Sequence, residues 1–247
     1  MNTNWFFDIR EIRVIRGKEN MNSSDFQTYK STIRSAIRAV LAEAERGALD
    51  EAAFPAYSHR NPFINWLFWQ RLRVVMDFIE RRAPFEQILD FGCGSGVMLP
   101  FLAKHSQRVL GLDVDLLAYR MMSRHLNFAA NIEVRDAQQT PLASLPAASI
   151  DLITALDVLE HVDDLHATLR GLVRLLKPGG WLVVSGPTEN IFYKLGRRLA
   201  GPEYSGAYHE RGIPEVRVEL GKLAQVTTIA RLYPPVVLFD IFAGQVP

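Results

Sequence analysis

The sequence predicts an α/β domain, a mostly parallel sheet between two layers of helices, and three observations predict it. From Phe85 onward, short β-rich apolar runs alternate with segments of helical period, the pattern of parallel strands joined by crossover helices. The first run, Gln87 to Phe91, leads directly into Gly92-Cys93-Gly94-Ser95-Gly96, a strand-to-helix turn of a kind that lets a ligand approach the backbone. The 247 residues, 48% of them hydrophobic, suffice for one sizeable core.

The elements follow in chain order. Residues 1–25 differ in character from the rest and are read as an N-terminal extension without fixed structure; Met21 offers a second start. Phe26, Tyr29, Ile33, Ile37, Val40, Leu41 and Ala44 repeat at helical spacing, predicting a helix to about Arg46 with Gly47 as its stop. Asn61-Pro62 opens a second helix, to about Arg82, with aromatics nearly all round its first half. Its aromatics are read as buried between sheet and N-terminal cover, with an apolar substrate pocket or a peripheral membrane contact as the alternative. Residues 26–84 thus form a helical cover or lid, and 85–247 the ligand-binding domain. There, strands are predicted at 87–91, 108–113, 132–135, 150–155 and 181–185, and helices at 96–105, 115–128 and 163–176. A short helix near Pro214 to Leu223 precedes two last apolar runs, 225–232 and 236–242.

Composition excludes several classes of function. Lys+Arg 28 against Asp+Glu 27 gives no basic excess, so no nucleic-acid partner is expected. The single cysteine, Cys93, rules out an internal disulfide and a cysteine-based zinc site, and is read as packing. No run of about 18 apolar residues exists. The charged N-terminus lacks the apolar core of a signal peptide, so a cytoplasmic protein is expected. Oligomeric state is not written in the sequence.

The chemistry-bearing residues cluster after the strands. Asp90 stands two residues before Gly92, with Gly94 and Gly96 following at G-x-G-x-G spacing. A dinucleotide site prefers G-x-G-x-x-G, and an acid here would repel a pyrophosphate. It suits a cationic ligand such as the amine and sulfonium of S-adenosylmethionine (SAM). Asp113 ends the next strand about 20 residues on, where an acid takes both hydroxyls of a ribose. Asp115 reads as the cap of the following helix. Asp136 follows the third strand, where it can accept from an adenine amino group while the adjacent amide reads a ring nitrogen.

At this point the sequence resembles the class I SAM-dependent methyltransferases, of the small-molecule type that includes the ubiquinone and menaquinone biosynthesis enzymes. The resemblance is carried by Leu89-Asp90-Phe91-Gly92-Cys93-Gly94-Ser95-Gly96, Gly111-Leu112-Asp113, Asp136-Ala137-Gln138, Ile150-Asp151-Leu152-Ile153, Val158-Leu159-Glu160-His161-Val162 and Leu175-Leu176-Lys177-Pro178-Gly179-Gly180, in order over residues 85–186. It implies a Rossmann-like three-layer sandwich whose seven-stranded sheet ends in an antiparallel strand pair. It further implies that Asp90, Gly92, Cys93, Gly94 and Gly96 hold the methionine part of SAM, Asp113 and Val114 the ribose, and Asp136 with Ala137 the adenine. Leu156 and Asp157 then lie under the methyl donor.

Methyl transfer is a displacement at a sulfonium, so the protein chiefly positions the nucleophile and excludes water. His161 is the candidate base, because an imidazole suits proton removal near neutral pH. The alternative is that Glu160-His161 is a structural helix start. A third reading groups Asp157, Glu160 and His161 as ligands of a divalent ion that polarises a catechol; no resident metal is assigned. Tyr57, His59 and Arg60, and Tyr208, His209, Glu210 and Arg211, are further loop candidates. The expected function is methylation of a small or amphipathic, lipid-linked or quinol-like acceptor. Rival readings are a non-catalytic SAM- or nucleotide-binding partner protein and a dinucleotide oxidoreductase. No Asn or Asp followed by Pro-Pro and an aromatic stands after the fourth strand to clamp a flipped base.

Overall fold

The computed structural model describes residues 22–43, 57, 62–188, 212–232 and 237–247. Strands β1 (Phe85–Phe91), β2 (Ser106–Asp113), β3 (Ile132–Asp136), β4 (Ile150–Leu156), β5 (Leu176–Pro187), β6 (Gln225–Leu232) and β7 (Phe239–Gln245) form one sheet. Its seven strands run in the order β3-β2-β1-β4-β5-β7-β6. The first five pair in parallel, and β7 runs antiparallel to both β5 and β6. This is the Rossmann-like sandwich with its terminal antiparallel pair.

Both faces are covered, and the strands show why. Consecutive residues point to opposite faces, and here both members of each pair are apolar: Ile88 and Leu89, Leu152 and Ile153, Ile241 and Phe242. Ile88, Leu152 and Ile241 pack beneath helices α1 (Ser23–Glu43), α2 (Pro62–Glu80) and α3 (Leu99–Lys104). Leu89, Ile153 and Phe242 pack beneath α5 (Leu165–Leu175) and α6 (Ile213–Gly221). A short α4 (Leu117–Met122) adds Ala118 and Met122 to the first layer.

Several boundaries differ from expectation for identifiable reasons. Helix α1 starts at Ser23, inside the segment read as extension, because the Asn22 side chain accepts from the Ser24 amide at 3.1 Å and its carbonyl from Phe26 at 3.0 Å. The predicted end at Arg46 and the stop at Gly47 lie outside the described residues. Helix α3 starts at Leu99 rather than Gly96, since three positive-φ glycines hold the turn open before it. Helix α4 is one short element of the predicted 115–128. Strand β5 starts five residues early, taking in the Lys177-Pro178-Gly179-Gly180 turn.

Among the described aromatics of α2, Trp69 and Phe78 are core. Trp69, Leu72, Val75, Met76 and Ile79 are fully buried, while Trp66 is exposed. Trp69 stacks edge-on against Phe26 at 6.2 Å and Tyr57 at 5.5 Å, and its indole N–H donates to the Tyr57 carbonyl at 3.2 Å. Replacing this side chain removes a large buried volume and a satisfied donor together. Trp69→Ala is expected to cost about 3–5 kcal/mol in chemical denaturation, and Trp69→Phe substantially less. Equal losses would show that the indole N–H and the outer ring contribute everything and the inner ring nothing.

Candidate functional site

The site lies where the strand order reverses, at the carboxyl ends of β1, β2, β3 and β4. In an open α/β sheet that crevice is where ligands bind. At the end of β1 the chain turns through Gly92, Gly94 and Gly96 at φ 73°, 51° and 78°, all left-handed. Each glycine meets a different constraint. A Cβ on Gly92 would overlap the Val158 side chain, lying 2.6 Å from its Cβ. One on Gly96 would press on Leu99, Phe128 and Tyr119 at 3.0–3.2 Å. At Gly94 a Cβ would meet nothing within 4 Å. Gly92 and Gly96 therefore serve packing, and Gly94 presents bare backbone to the crevice. Cys93 is buried with its sulfur against Gly111, and burial drives its thiol pKa well up, so it is the packing residue expected.

Asp90 is 4% exposed near the end of β1. Its Oδ1 accepts from the Thr154 hydroxyl at 2.6 Å, across the register pair that β1 and β4 impose. Burial pushes its carboxyl up to about 7, and the nearby Asp113 charge adds to that, against the Thr154 hydrogen bond. A buried acid beside the turn that favours its neutral form is a site prepared for a cation. At the end of β2, Asp113 Oδ2 accepts from the Gly94 amide at 2.6 Å and Oδ1 from Asp115 at 3.1 Å. Its carboxylate therefore lies directly against the glycine turn. Asp115 accepts from the Leu117 amide at 2.8 Å, but Leu116 occupies the N-cap of α4, so Asp115 stands one place before the capping position expected of it. Val114, beside Asp113, is 66% exposed.

Asp136, opposite Asp113 in register, accepts from the Gln138 amide at 2.8 Å. The Ala137 amide donates to the Asp113 carbonyl at 2.8 Å. The amide expected to read an adenine ring nitrogen is therefore engaged in extending the ladder, which leaves the Asp136 carboxyl group as the element available to that base.

After β4, Leu156 is half-buried and Asp157 adopts a left-handed φ of 55°. Asp157 Oδ2 pairs with Arg71 Nη1 from α2. The carboxylate grouped with Glu160 and His161 in the metal-ligand reading is thus paired within the protein. Glu160 is 5% exposed on a short 3-10 turn, Leu159–His161, with its Oε1 3.5 Å from where a Cβ of Gly186 would stand. His161 ends the same turn, exposed. Among the described residues no three His, Cys, Asp or Glu side chains converge as metal ligands. Tyr57 is buried rather than solvated, with its hydroxyl accepting from Arg71 at 2.9 Å. His59, Arg60 and Tyr208 to Arg211 lie outside the described residues. Arg71 escaped the sequence reading, although its spacing of four from both Leu67 and Val75 places it on the apolar face of α2.

A reversing parallel sheet, a glycine turn with open space at Gly94 and three acids at successive strand ends define a protein that binds a cationic nucleoside cofactor. The methyltransferase domain family matches residues 66–225. Over 160 residues the chain is 30% identical to the ubiquinone biosynthesis O-methyltransferase of Paracidovorax citrulli, covering 63% of this chain and 66% of that protein. Over 158 residues it is 31% identical to the enzyme of that name from Chromobacterium violaceum, covering 61% and 68%. The chain thus spans about two thirds of these relatives' length. The N-methyltransferase NodS of Bradyrhizobium japonicum, solved with S-adenosylhomocysteine (SAH), shares the fold at a TM-score of 0.56 and 20% identity, over 87% of this chain and 98% of that one. The chain belongs to the class I SAM-dependent methyltransferases, and SAM is the family's cofactor.

The residues fit that cofactor: the open space at Gly94 and the buried Asp90 suit, respectively, close approach of a ligand and its positive charge. Gly92→Ala should lose about 2 kcal/mol or more of stability through left-handed strain and the Val158 overlap. Gly94→Ala carries strain alone, so calorimetry should show weakened SAH binding in a protein that still folds; retained affinity would place the ligand elsewhere. As for pH, Asp90 is protonated below about 7 in the free protein, and a bound ammonium favours its ionised form. SAH affinity should therefore rise with pH below 7, by at most about tenfold per unit, and flatten above it. Binding at pH 6 should release a proton, read as a buffer-dependent enthalpy, and Asp90→Asn should abolish that release.

Proposed function

We propose that the protein is an O-methyltransferase that moves the methyl group of SAM to a hydroxyl of a small amphipathic, quinol-like acceptor. The observation that carries this reading is the placement of Asp90, Asp113 and Asp136 at successive strand ends, with Asp113 held against the Gly94 amide beside open space. The O-methyltransferase names of the relatives at 30–31% identity support the acceptor class.

When bound, SAM supplies an activated methyl on a sulfonium and its own leaving group. The protein's residues do the rest. Asp90 meets the amino-acid end, Asp113 with Val114 the ribose and Asp136 the adenine. Leu156, half-buried past β4, would give the bound methyl donor an apolar wall. Transfer to a hydroxyl would require the acceptor's proton to leave as the methyl group departs from sulfur. Asp157 is committed to Arg71, and Glu160 is buried beside Gly186. We assign the proton to His161, exposed on the same turn. Helices α1 and α2 act as the cover that excludes water; the Tyr29 hydroxyl of α1 donates to the Val97 carbonyl just past the glycine turn.

Tritiated SAM offered with catechols bearing a short alkyl chain tests this. Label should pass to a phenolic oxygen with stoichiometric SAH. His161→Ala should lower turnover by about 10²-fold or more while SAH affinity stays within about threefold. Transfer only to amine or carbon acceptors would overturn the O-acceptor reading, and a loss under about threefold would make His161 structural.

A further inference from the structure

Helix α2 carries an arginine on its apolar face, and the Arg71 side chain is 1% exposed. A guanidinium removed from water needs compensation on every side. Its carbon lies 5.5 Å from the Phe68 ring centroid and 5.3 Å from that of Phe239. Nη2 donates to the Tyr57 hydroxyl at 2.9 Å, and Nη1 pairs with Asp157 Oδ2. Four parts of the chain thus meet at one cation: Tyr57, α2 itself, β7 and the turn after β4.

Asp157 is the notable partner. It is the first residue beyond β4, and its left-handed backbone is sparsely populated by residues with a Cβ. Its amide donates to the Ser185 carbonyl at 2.9 Å, and Oδ1 is shielded from solvent without a hydrogen bond. The carboxylate is committed to the helix layer. A carboxylate left uncompensated beside Leu156 would pair with a sulfonium instead. Such binding stabilises the cation before reaction and fades as its charge disperses, which raises the barrier to transfer.

We propose that Arg71 is a positioning residue of the methyl site: it neutralises Asp157 and holds that carboxylate away from the sulfonium of SAM, so that the site binds the cofactor without stabilising the charge that transfer removes. The proposal rests on the assignment of SAM to the glycine-turn site. Arg71 touches neither cofactor nor acceptor and acts through Asp157.

SAM and SAH differ at sulfur by a methyl group and a positive charge, so the ratio of their dissociation constants reads the local charge. Structural damage weakens both ligands alike and leaves the ratio unmoved. Calorimetry on wild type, R71M, R71K and D157N is the test. R71M exposes a carboxylate and should shift the ratio at least about threefold towards SAM. D157N exposes a guanidinium and should shift it at least about threefold towards SAH, while R71K, which keeps the charge, should stay within about twofold of wild type. A ratio unmoved in R71M or D157N, or moved as far by R71K as by R71M, overturns the proposal. Should R71M fail to fold, D157N decides alone, since its amide keeps the carboxylate's shape. Wild-type binding of neither ligand overturns the cofactor assignment together with the proposal. Wild-type binding with an unmoved ratio overturns the proposal only.

Discussion

Everything at the site depends on how closely two turns approach at one end of the sheet. Gly92 leaves β1 in a left-handed conformation, and the Val158 side chain fills the place its Cβ would take. That contact fixes the turn after β1 against the turn after β4. The two strands are direct neighbours, so Asp90 comes opposite Thr154 and accepts its hydroxyl. β2 lies on the other side of β1, and Asp113 therefore reaches the Gly94 amide from there. The crevice exists because β1 has neighbours that depart in opposite directions along the chain, and the glycines let its walls close to contact distance.

The carboxylates of neighbouring strands show how position alone divides their roles. Asp151 is the second residue of β4, at the opposite end of the sheet. It accepts the amides of Glu86 and Gln87 and pairs with Lys177 at 2.9 Å; these partners outweigh its partial burial and hold its carboxyl below the usual range. Asp90 has one hydroxyl donor inside an apolar strand, and burial dominates in the other direction. Asp151 has its charge satisfied by the protein and acts as a clamp between strands. Among the described residues only the Thr154 hydroxyl donates to Asp90, which leaves a charge that a bound cation would compensate.

Much of this was legible in the sequence. The apolar strands gave themselves away because both faces of the sheet are covered, and the acids stand at strand ends that an alternating pattern locates to within a residue. Ends of helices were less legible: the open glycine turn delays α3, and an Asn side chain advances α1. The Arg71–Asp157 pair was not legible as a pair, because 85 residues of intervening chain and two separate layers must fold before the charges meet. Arg71 does carry a local sign, a full charge on the apolar stripe of α2, which only a buried partner can make tolerable. The engagement of the Ala137 amide was hidden for a different reason: nothing in Asp136-Ala137-Gln138 tells how far the ladder with β2 extends.

The N-terminal helices do not form a layer separable from the cofactor site. Phe26, Ile37, Trp69 and Ile79 share one core with Ile88, Leu99 and Leu152 beneath them, so the cover is part of what stabilises the sheet. The same two helices also reach the site, α1 through Tyr29 at the Val97 carbonyl and α2 through Arg71 at Asp157. Inward-facing positions therefore carry both core packing and the geometry of the turns after β1 and β4. Trp66, 43% exposed, stands outside that shared core.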